Sequence, residues 1–202
     1  MKTSVLNKIM KNLIFPDRFT KKGRLAYYIV SHKTGLMVLV GLYLDNSIDS
    51  TSFLVYYFAQ CLYEPFNALN FSLGGRIGTY WSIDSTPELQ KRINDFDVLN
   101  KLNTFDDFLY FLSNHPFYGD KLGRDNYLAL TYFIFSQYDK SLFYLNEIIS
   151  TEKDDNFSSY SQEVKNAQLI KNFIINKNYD KGILQLLQWQ SQTIKDIGLK
   201  IK

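Results

Sequence analysis

The segment from residue 25 to residue 59 decides the fold, and it reads LAYYIVSHKTGLMVLVGLYLDNSIDSTSFLVYYFA. Three runs rich in β-branched and aromatic residues, at 25–30, 36–44 and 52–59, are separated by polar turns. This pattern is typical of antiparallel strands joined by hairpin loops. The run at 36–44 is apolar at nearly every position, which predicts a central strand covered on both faces.

Further strands are predicted beyond residue 60. Residues 69–73 alternate between apolar and polar side chains, the period of a strand with one buried face. The glycine-rich segment 74–78 surrounds Arg76 and predicts a bulge or bend before a last short strand at 80–83. The sequence thus predicts an α+β fold with an antiparallel sheet of four or five strands.

In the sequence, helices are predicted both before and after the segment that forms the sheet. Residues 4–15 carry apolar side chains at helical spacing, and Pro16 ends the pattern. Thr86 followed by Pro87, and Thr104 followed by two aspartates, predict the starts of two more helices.

From Arg124 onward the pattern predicts helices throughout, and it contains an internal repeat. The tripeptide Tyr-Asp-Lys occurs at 138–140 and again at 179–181, each time after an apolar run, and each copy predicts a helix, a short turn and a helix. The first copy resembles a tetratricopeptide helical hairpin, with Ser141 where that family usually has Ala. We predict a sheet domain over residues 1–120 and a helical-hairpin region over residues 121–202, packed on the sheet or on a second copy of the chain.

The most polar stretch of the helical region is the segment 151–161, which reads TEKDDNFSSYS. Polar runs of this kind between periodic segments are typical of surface connections. We therefore predict a mobile loop there.

Composition excludes several classes of protein. A hydrophobic fraction of 46%, with 16 Phe and 15 Tyr in 202 residues, is enough for a large core, and the formal charge of +3 neither predicts nor forbids a polyanionic partner. The single cysteine, Cys61, excludes an intramolecular disulfide, and its apolar surroundings predict a buried, inert thiol. No apolar run reaches the ~20 residues of a membrane span and no signal peptide is evident, so we expect a cytoplasmic protein without a membrane partner.

Catalytic and metal-binding motifs are not found. The two imidazoles, His32 and His115, have no ligand at helical spacing, and no nucleophile elbow or phosphate loop occurs. Asp106 and Asp107 follow a helix cap, where adjacent side chains point about 100° apart and cannot converge on one atom. We therefore expect no catalytic residue, no metal and no cofactor.

Arg76 is the strongest binding candidate. A guanidinium buried among apolar neighbours would need an anion, because an unpaired buried charge costs several kcal/mol. One interpretation is a structural ion pair with Asp84 or Glu88. The other is a site in which Arg76, Tyr80 and Trp81 hold a ligand or a protein, since Arg, Trp and Tyr dominate binding hot spots.

A second cluster is basic. It consists of Arg18, Lys21, Lys22 and Arg24, ahead of the first long strand. A charged, solvated loop is the favoured interpretation, because nucleic-acid binding usually needs a stronger charge or interleaved aromatic residues.

The order of these landmarks resembles a group of uncharacterised bacterial α+β domains of unknown function. The points of likeness are the first amphipathic helix, the segment 19–23 (Phe-x-Lys-Lys-Gly), the segment 75–78 (Gly-Arg-Ile-Gly) followed by Trp81, and the helical tail. Some such proteins are thought to act as immunity proteins beside toxins, so the resemblance implies a binding role.

The function predicted from the sequence is non-catalytic protein binding, as an immunity or accessory protein with a protein partner of unknown identity. A homodimer is also open, and nucleic acid is not expected as the partner. The alternative is an enzyme or small-ligand binder with a pocket near Arg76 and Trp81. A third, less favoured reading is a nucleic-acid contact through the basic cluster.

Overall fold

The structure is a computed structural model that describes residues 1–151 and 161–201. Within these residues, six strands form one antiparallel sheet, which confirms the predicted α+β class and exceeds the predicted strand number by one. The strands are β1 (Thr20–Lys22), β2 (Leu25–Ser31), β3 (Met37–Asn46), β4 (Ser52–Cys61), β5 (Gly74–Arg76) and β6 (Trp81–Ser82). They lie in the order β1-β2-β3-β4-β5, and β6 pairs with β4 beside β5.

The helices of the described residues pack mainly against one face of this sheet. They are α1 (Thr3–Asn12), α2 (Thr86–Asn94), α3 (Asp97–Asn100), α4 (Phe105–Asn114), α5 (Lys121–Ile134), α6 (Tyr138–Ser150), α7 (Ser161–Ile175) and α8 (Tyr179–Asp196). In the ranges 1–151 and 161–201, none of them is long and apolar enough to cross a membrane.

The two faces of the sheet have different surroundings, because successive residues of a strand point to opposite sides. The inner face, with Val40 and Ala59, belongs to a large core shared with the helices. The outer face, with Leu39 and Phe58, packs against a smaller cluster that includes Phe71 and residues 194–201. Part of the outer face is left open, and that part carries the site described below.

The prediction of a strand at 69–73 is wrong. The Gln60 side chain donates to the Ala68 carbonyl at 3.1 Å and accepts from the Asn70 amide at 3.0 Å, so side-chain hydrogen bonds replace a ladder there. The strand begins instead at Gly74, where a Cβ would lie 2.0 Å from the Tyr57 carbonyl oxygen. A residue without a side chain is therefore required for β5 to reach β4.

Of the two predicted helix caps, one is confirmed. Thr104 accepts from the Asp107 amide at 3.1 Å while the Asp107 carboxylate accepts from the Thr104 amide at 2.9 Å, which is a capping box. Thr86 is instead the first residue of α2, and its hydroxyl donates to the Ile83 carbonyl at 2.6 Å. The predicted cap at Thr86 is therefore wrong by one position.

The sequence repeat is confirmed as a repeated turn. Ser136 between α5 and α6, and Lys177 between α7 and α8, both have positive φ angles, of 57° and 54°. The next amide in each turn bonds back five residues, Gln137 to Tyr132 at 2.9 Å and Asn178 to Phe173 at 2.8 Å. These are Schellman turns, which satisfy the last carbonyls of a helix.

A third turn of the same type follows α8. Gly198 has a φ of 63°, and the Leu199 amide donates to the Ile194 carbonyl at 3.0 Å. After this turn the chain passes onto the outer face, where the Tyr27 hydroxyl donates to the Lys200 carbonyl at 2.8 Å.

The helical region contacts the sheet region directly. Gln190 of α8 accepts from the Met37 amide at 2.7 Å and donates to the Gly35 carbonyl at 3.0 Å. One apolar core includes residues from both regions, from Leu6 to Leu186. The domain boundary at residue 120 stays a prediction, and the predicted mobile loop at 151–161 falls almost wholly outside the described residues.

The two threonines give a test of the capping assignment. Thr104→Ala should lower the free energy of unfolding by about 1 kcal/mol, because the Asp107 amide of the capping box loses its acceptor. Thr86→Ala should cost less than half as much, since its hydroxyl caps no amide. Denaturant titration of both variants measures the difference, and equal losses would contradict the assignment.

Candidate functional site

The open part of the outer face carries one row of residues that crosses five strands. The register pairs Lys22 of β1 with Leu25 of β2, Leu25 with Tyr43 of β3, Tyr43 with Tyr56 of β4, and Tyr56 with Arg76 of β5. Directly paired residues of antiparallel strands share a face, so these side chains stand side by side. Cationic side chains lie at both ends of the row and tyrosines lie in its middle.

Two further residues outside the strands, Arg24 and Phe71, pack against the tyrosines of this row. The Arg24 guanidinium lies 4.8 Å from the ring centre of Tyr43, and Arg76 lies 5.3 Å from that of Tyr56. Phe71 lies between the two tyrosines, with ring centres 5.2 Å from Tyr43 and 5.4 Å from Tyr56. We call Arg24, Tyr43, Phe71, Tyr56 and Arg76 the sheet-face ladder. All three rings are partly exposed, so the ladder presents aromatic surface to solvent.

The two cations of the ladder differ in their partners. Arg24 forms an ion pair with Asp45 at 3.1 Å. Arg76 is exposed and donates to the Tyr56 hydroxyl at 3.1 Å, and no carboxylate among the described residues pairs with it. Burial raises the pKa of Tyr43, so its hydroxyl stays protonated at neutral pH. Arg76 is therefore the charge that this surface offers to another molecule.

The structural ion pair predicted for Arg76 is wrong. Neither Asp84 nor Glu88 forms a salt bridge with it in the part of the chain that the structure describes. The premise of burial also fails, because β5 is a three-residue strand at the edge of the sheet and Arg76 points to its open face.

Arg76 and Trp81 are not brought together. Arg76 is paired with Tyr56 on the outer face, whereas Trp81 is paired with Phe53, which is buried in the inner core. Positions 53 and 56 of one strand differ in parity and point to opposite faces. The pocket predicted near Arg76 and Trp81 is therefore not formed by these two residues.

Trp81 and Tyr80 have separate surroundings. The indole N–H of Trp81 donates to the Ile77 carbonyl at 2.6 Å, and its ring covers Gly78, where an added Cβ would lie 2.8 Å from it. Tyr80 is 61% exposed. Trp81 thus closes the turn before β6, and Tyr80 stays a surface residue outside the ladder.

The lysines of the basic cluster bind helix ends. The Lys21 ammonium donates to the carbonyls of Lys11, at 3.0 Å, and Leu13 at the end of α1. Lys22 donates to the Gly198 carbonyl in the turn after α8. Cations at these positions satisfy carbonyls that have no partner within the helix and lie at the negative end of its dipole.

The arginines of the basic cluster also have protein partners. Arg18 donates to the Leu99 carbonyl in α3 at 3.2 Å, and its guanidinium lies 4.1 Å from the ring centre of Tyr28. Arg24 pairs with Asp45 as described. The cluster is therefore a set of structural contacts, and only Arg24 of its four members belongs to the candidate site.

Sequence reasoning missed the aromatic members of the ladder, Tyr43, Phe71 and Tyr56. Tyr43 and Tyr56 lie in correctly predicted strands, but their neighbours are equally apolar, so the sequence does not mark which residues face outward. The register of β3 against β4 would have identified them, because it decides which residues share the outer face. A hairpin loop of recognisable type would have fixed that register.

A second surface feature is an open groove of about 670 Å³ beside α3 and α4. His115 lines it, with Nε2 2.8 Å from the Tyr57 hydroxyl and its ring stacked on Phe111 at 4.2 Å. Burial lowers the pKa of His115, and the hydrogen bond from Thr104 lowers that of Asp107. The Tyr57 hydroxyl and the Phe111 ring hold the imidazole of His115, and the capping box of α4 holds the carboxylate of Asp107.

Cys61 and His32 are also held by their local surroundings. Cys61 is buried at the end of β4, and burial raises the pKa of its thiol well above the usual range, as expected for an inert cysteine. His32 lies in the β2–β3 turn, as predicted, with Nδ1 2.9 Å from the Thr34 hydroxyl.

Together the fold and the site define an α+β protein with an aromatic and cationic surface on an open sheet face. Comparisons with protein-family models, with curated proteins and with solved structures find no match for this chain.

Lys21 and Lys8 allow a test of the structural role of the basic cluster. Lys21→Ala should lower the free energy of unfolding by about 0.5–1 kcal/mol, because the α1 carbonyls lose a charged donor. Lys8→Ala removes an exposed charge from the same helix and should change it by less than about 0.3 kcal/mol. Thermal and denaturant unfolding of both variants decide the point, and equal effects would count against a capping role.

Proposed function

We propose that the protein binds another protein, without catalysis, through the sheet-face ladder. The observation that carries this proposal is the exposed Arg76 guanidinium, which has no carboxylate partner among the described residues and lies at the end of a set of packed, partly exposed rings. Arg and Tyr are the residue types that dominate the energetics of protein interfaces.

The order of the ladder supports a specific kind of partner. Asp45 already neutralises Arg24, so the unbalanced charge lies at the Arg76 end. A carboxylate that meets Arg76 would form a charge-assisted hydrogen bond, and a flanking aromatic or apolar side chain would cover the rings. The partner is therefore an acidic segment that also carries an aromatic residue.

The position of the ladder on strands favours binding energetically. Tyr43 and Tyr56 lie on the two longest strands, and Phe71 is held between them and also packs edge-on against Phe58 at 4.9 Å. Side chains that are already ordered lose little conformational entropy when a partner covers them. The surface is thus preorganised for contact.

An immunity or accessory role in the bacterial cytoplasm, which the sequence resemblance implies, would use such a surface. A protein of this kind acts by occupying its target and needs no catalytic group. The biological setting is part of the proposal and rests on the resemblance alone.

The test is a selection from a random peptide library displayed on phage, using the full chain as bait. Enriched peptides should combine Asp or Glu with a neighbouring aromatic residue. Arg76→Glu should weaken the best synthetic peptide at least 10-fold, because a charge-assisted hydrogen bond worth about 1.5–3 kcal/mol is lost. Arg92→Glu, an exposed charge reversal on α2, should leave the Kd within about twofold.

Two further measurements make the result decisive. Tyr56→Ala should also weaken binding, while circular dichroism and melting show that both ladder variants remain folded. Equal binding by Arg76→Glu and the wild type would overturn the proposal. So would tight binding of oligothymidylate that is lost with Arg76→Glu, since the ladder would then serve nucleic acid.

A further inference from the structure

A small cavity of about 220 Å³ lies between the loop after β4, the α4–α5 connection and the first turn of α7. It shares no lining residue with the ladder. Three carboxylates, of Glu64, Asp120 and Glu163, and two aromatic rings, of Phe66 and Phe117, line it. Asp120 is also the cap of α5 and accepts from the Gly123 amide at 2.7 Å.

Glu64 is fixed in this cavity and is incompletely paired. The residue is 6% exposed, and its Oε1 accepts a hydrogen bond from the Asn126 amide group. The Thr193 hydroxyl of α8 holds its backbone carbonyl at 2.8 Å. Its other carboxylate oxygen, Oε2, is buried without a hydrogen-bond partner.

Glu163, in the first turn of α7, adds a second carboxylate oxygen without a hydrogen-bond partner. Its Oε2 is also buried without a hydrogen-bond partner, and it lines the same cavity. No salt bridge joins Glu64 or Glu163 to a basic residue within residues 1–151 and 161–201. A buried, unpaired carboxylate is costly, and its cost is relieved either by protonation or by a group that pairs with it.

The side chains that line the cavity favour an organic cation over a metal ion. Within the described ranges, no group of three or more His, Cys, Asp or Glu side chains is placed to hold a metal ion. Aromatic rings beside carboxylates attract organic cations, because the ring faces are electron-rich. The volume is below the ~300–1,000 Å³ of pockets for drug-sized ligands, so it suits one cationic head group.

We propose that this cavity binds an organic cation with N–H donors, an alkylammonium or a guanidinium group, between Glu64 Oε2 and Glu163 Oε2. The rings of Phe66 and Phe117 cover its sides. The cation is either a free amine or the Lys or Arg side chain of a protein, and both sources offer the same chemistry to the cavity.

The electrostatics make this binding dependent on pH. The pKa of Glu64 is raised to about 8, mainly by burial. The Glu163 and Asp120 carboxylates contribute to this rise, whereas the hydrogen bond from Asn126 acts in the opposite direction. Two other titratable groups near Glu64, those of Tyr127 and Cys61, stay neutral in this range because burial raises their pKa values further. A cation therefore binds best above pH 8, where Glu64 is ionised and an alkylammonium, with a pKa of about 10.5, is still charged.

The experiment is calorimetric titration of the full chain at pH 8.5 with n-butylammonium and n-butylguanidinium. At least one should bind saturably, whereas n-butanol, which lacks charge, and tetramethylammonium, which lacks N–H donors, should bind at least 10-fold more weakly. Glu64→Gln and Glu163→Gln should each lower the affinity at least 10-fold. Glu88→Gln, an exposed carboxylate on α2, is the matched control and should change nothing.

The pH profile separates a ligand site from a merely buried acid. Wild-type affinity should fall roughly 50- to 100-fold between pH 8.5 and pH 6 as Glu64 takes up its proton, and Glu64→Gln should abolish this slope. Absence of saturable binding of both cations to the folded wild type, or equal affinities in the wild type and the two Gln variants, would overturn the proposal.

Stability gives an independent check on Glu64 itself. Its pKa is raised above the unfolded value of about 4.5, so the stability that its protonated form contributes is complete below pH 4.5 and is lost as the pH rises to 8. The Tm of Glu64→Gln should therefore exceed that of the wild type increasingly from pH 4.5 to pH 8, and the better-bound cation should narrow the gap at pH 8. A gap that does not change with pH would show that the carboxyl is not the titrating group.

Two peptides identify the source of the cation. Blocked tripeptides Gly-Lys-Gly and Gly-Arg-Gly are compared with the free amines cadaverine and agmatine under the same conditions. Tighter peptide binding assigns the cavity to a protein side chain, and tighter amine binding assigns it to a small molecule; either order supports the cation site. Arg76→Glu should leave all four affinities unchanged, so failure of this site and failure of the ladder are distinguishable.

Discussion

The alternation of strand β4 is the constraint on which the rest of the structure depends. β4 pairs with three strands: with β3 along nearly its whole length, and with β5 and β6 at two separate places on its other edge. Its odd-numbered residues enter the helix-covered core, and Tyr56 and Phe58 face outward. A shift of one residue in its register would bury Tyr56 and expose Tyr57, and would dismantle the core and the ladder together.

Some cationic side chains bond to carbonyl groups of the protein itself, and others remain free to contact another molecule. Lys21, Lys22 and Arg18 satisfy carbonyls at the ends of α1, α8 and α3. A net charge of +3 therefore overstates the positive surface, because several cations are directed at the protein itself. Arg76 stands out for the opposite reason, since its only described hydrogen-bond partner is a neutral hydroxyl.

The parts of the fold that depend on local sequence were predictable. Strands β2, β3 and β4, the apolar stripe of α1, the cap at Thr104 and the repeated hairpin all follow from periodicity or from capping residues. The strand predicted at 69–73 failed because one distant side chain, Gln60, provides hydrogen bonds that resemble a ladder partner. The ladder and the Glu64 cavity were missed because both are assembled by residues far apart in sequence, whose neighbourhood depends on register and helix packing.

The third Schellman turn is followed by residues that pack on the outer face of the sheet. At Ser136 and Lys177 the turn sends the chain into another antiparallel helix, but at Gly198 the same geometry sends it onto the outer face of the sheet. There Leu199 joins the apolar cluster of Tyr27 and Phe58, which lie in one row of paired residues next to the row of Tyr43 and Tyr56. A turn that ends a helix thus has a second effect in this fold. Its third copy, at Gly198, directs the chain over part of the outer sheet face.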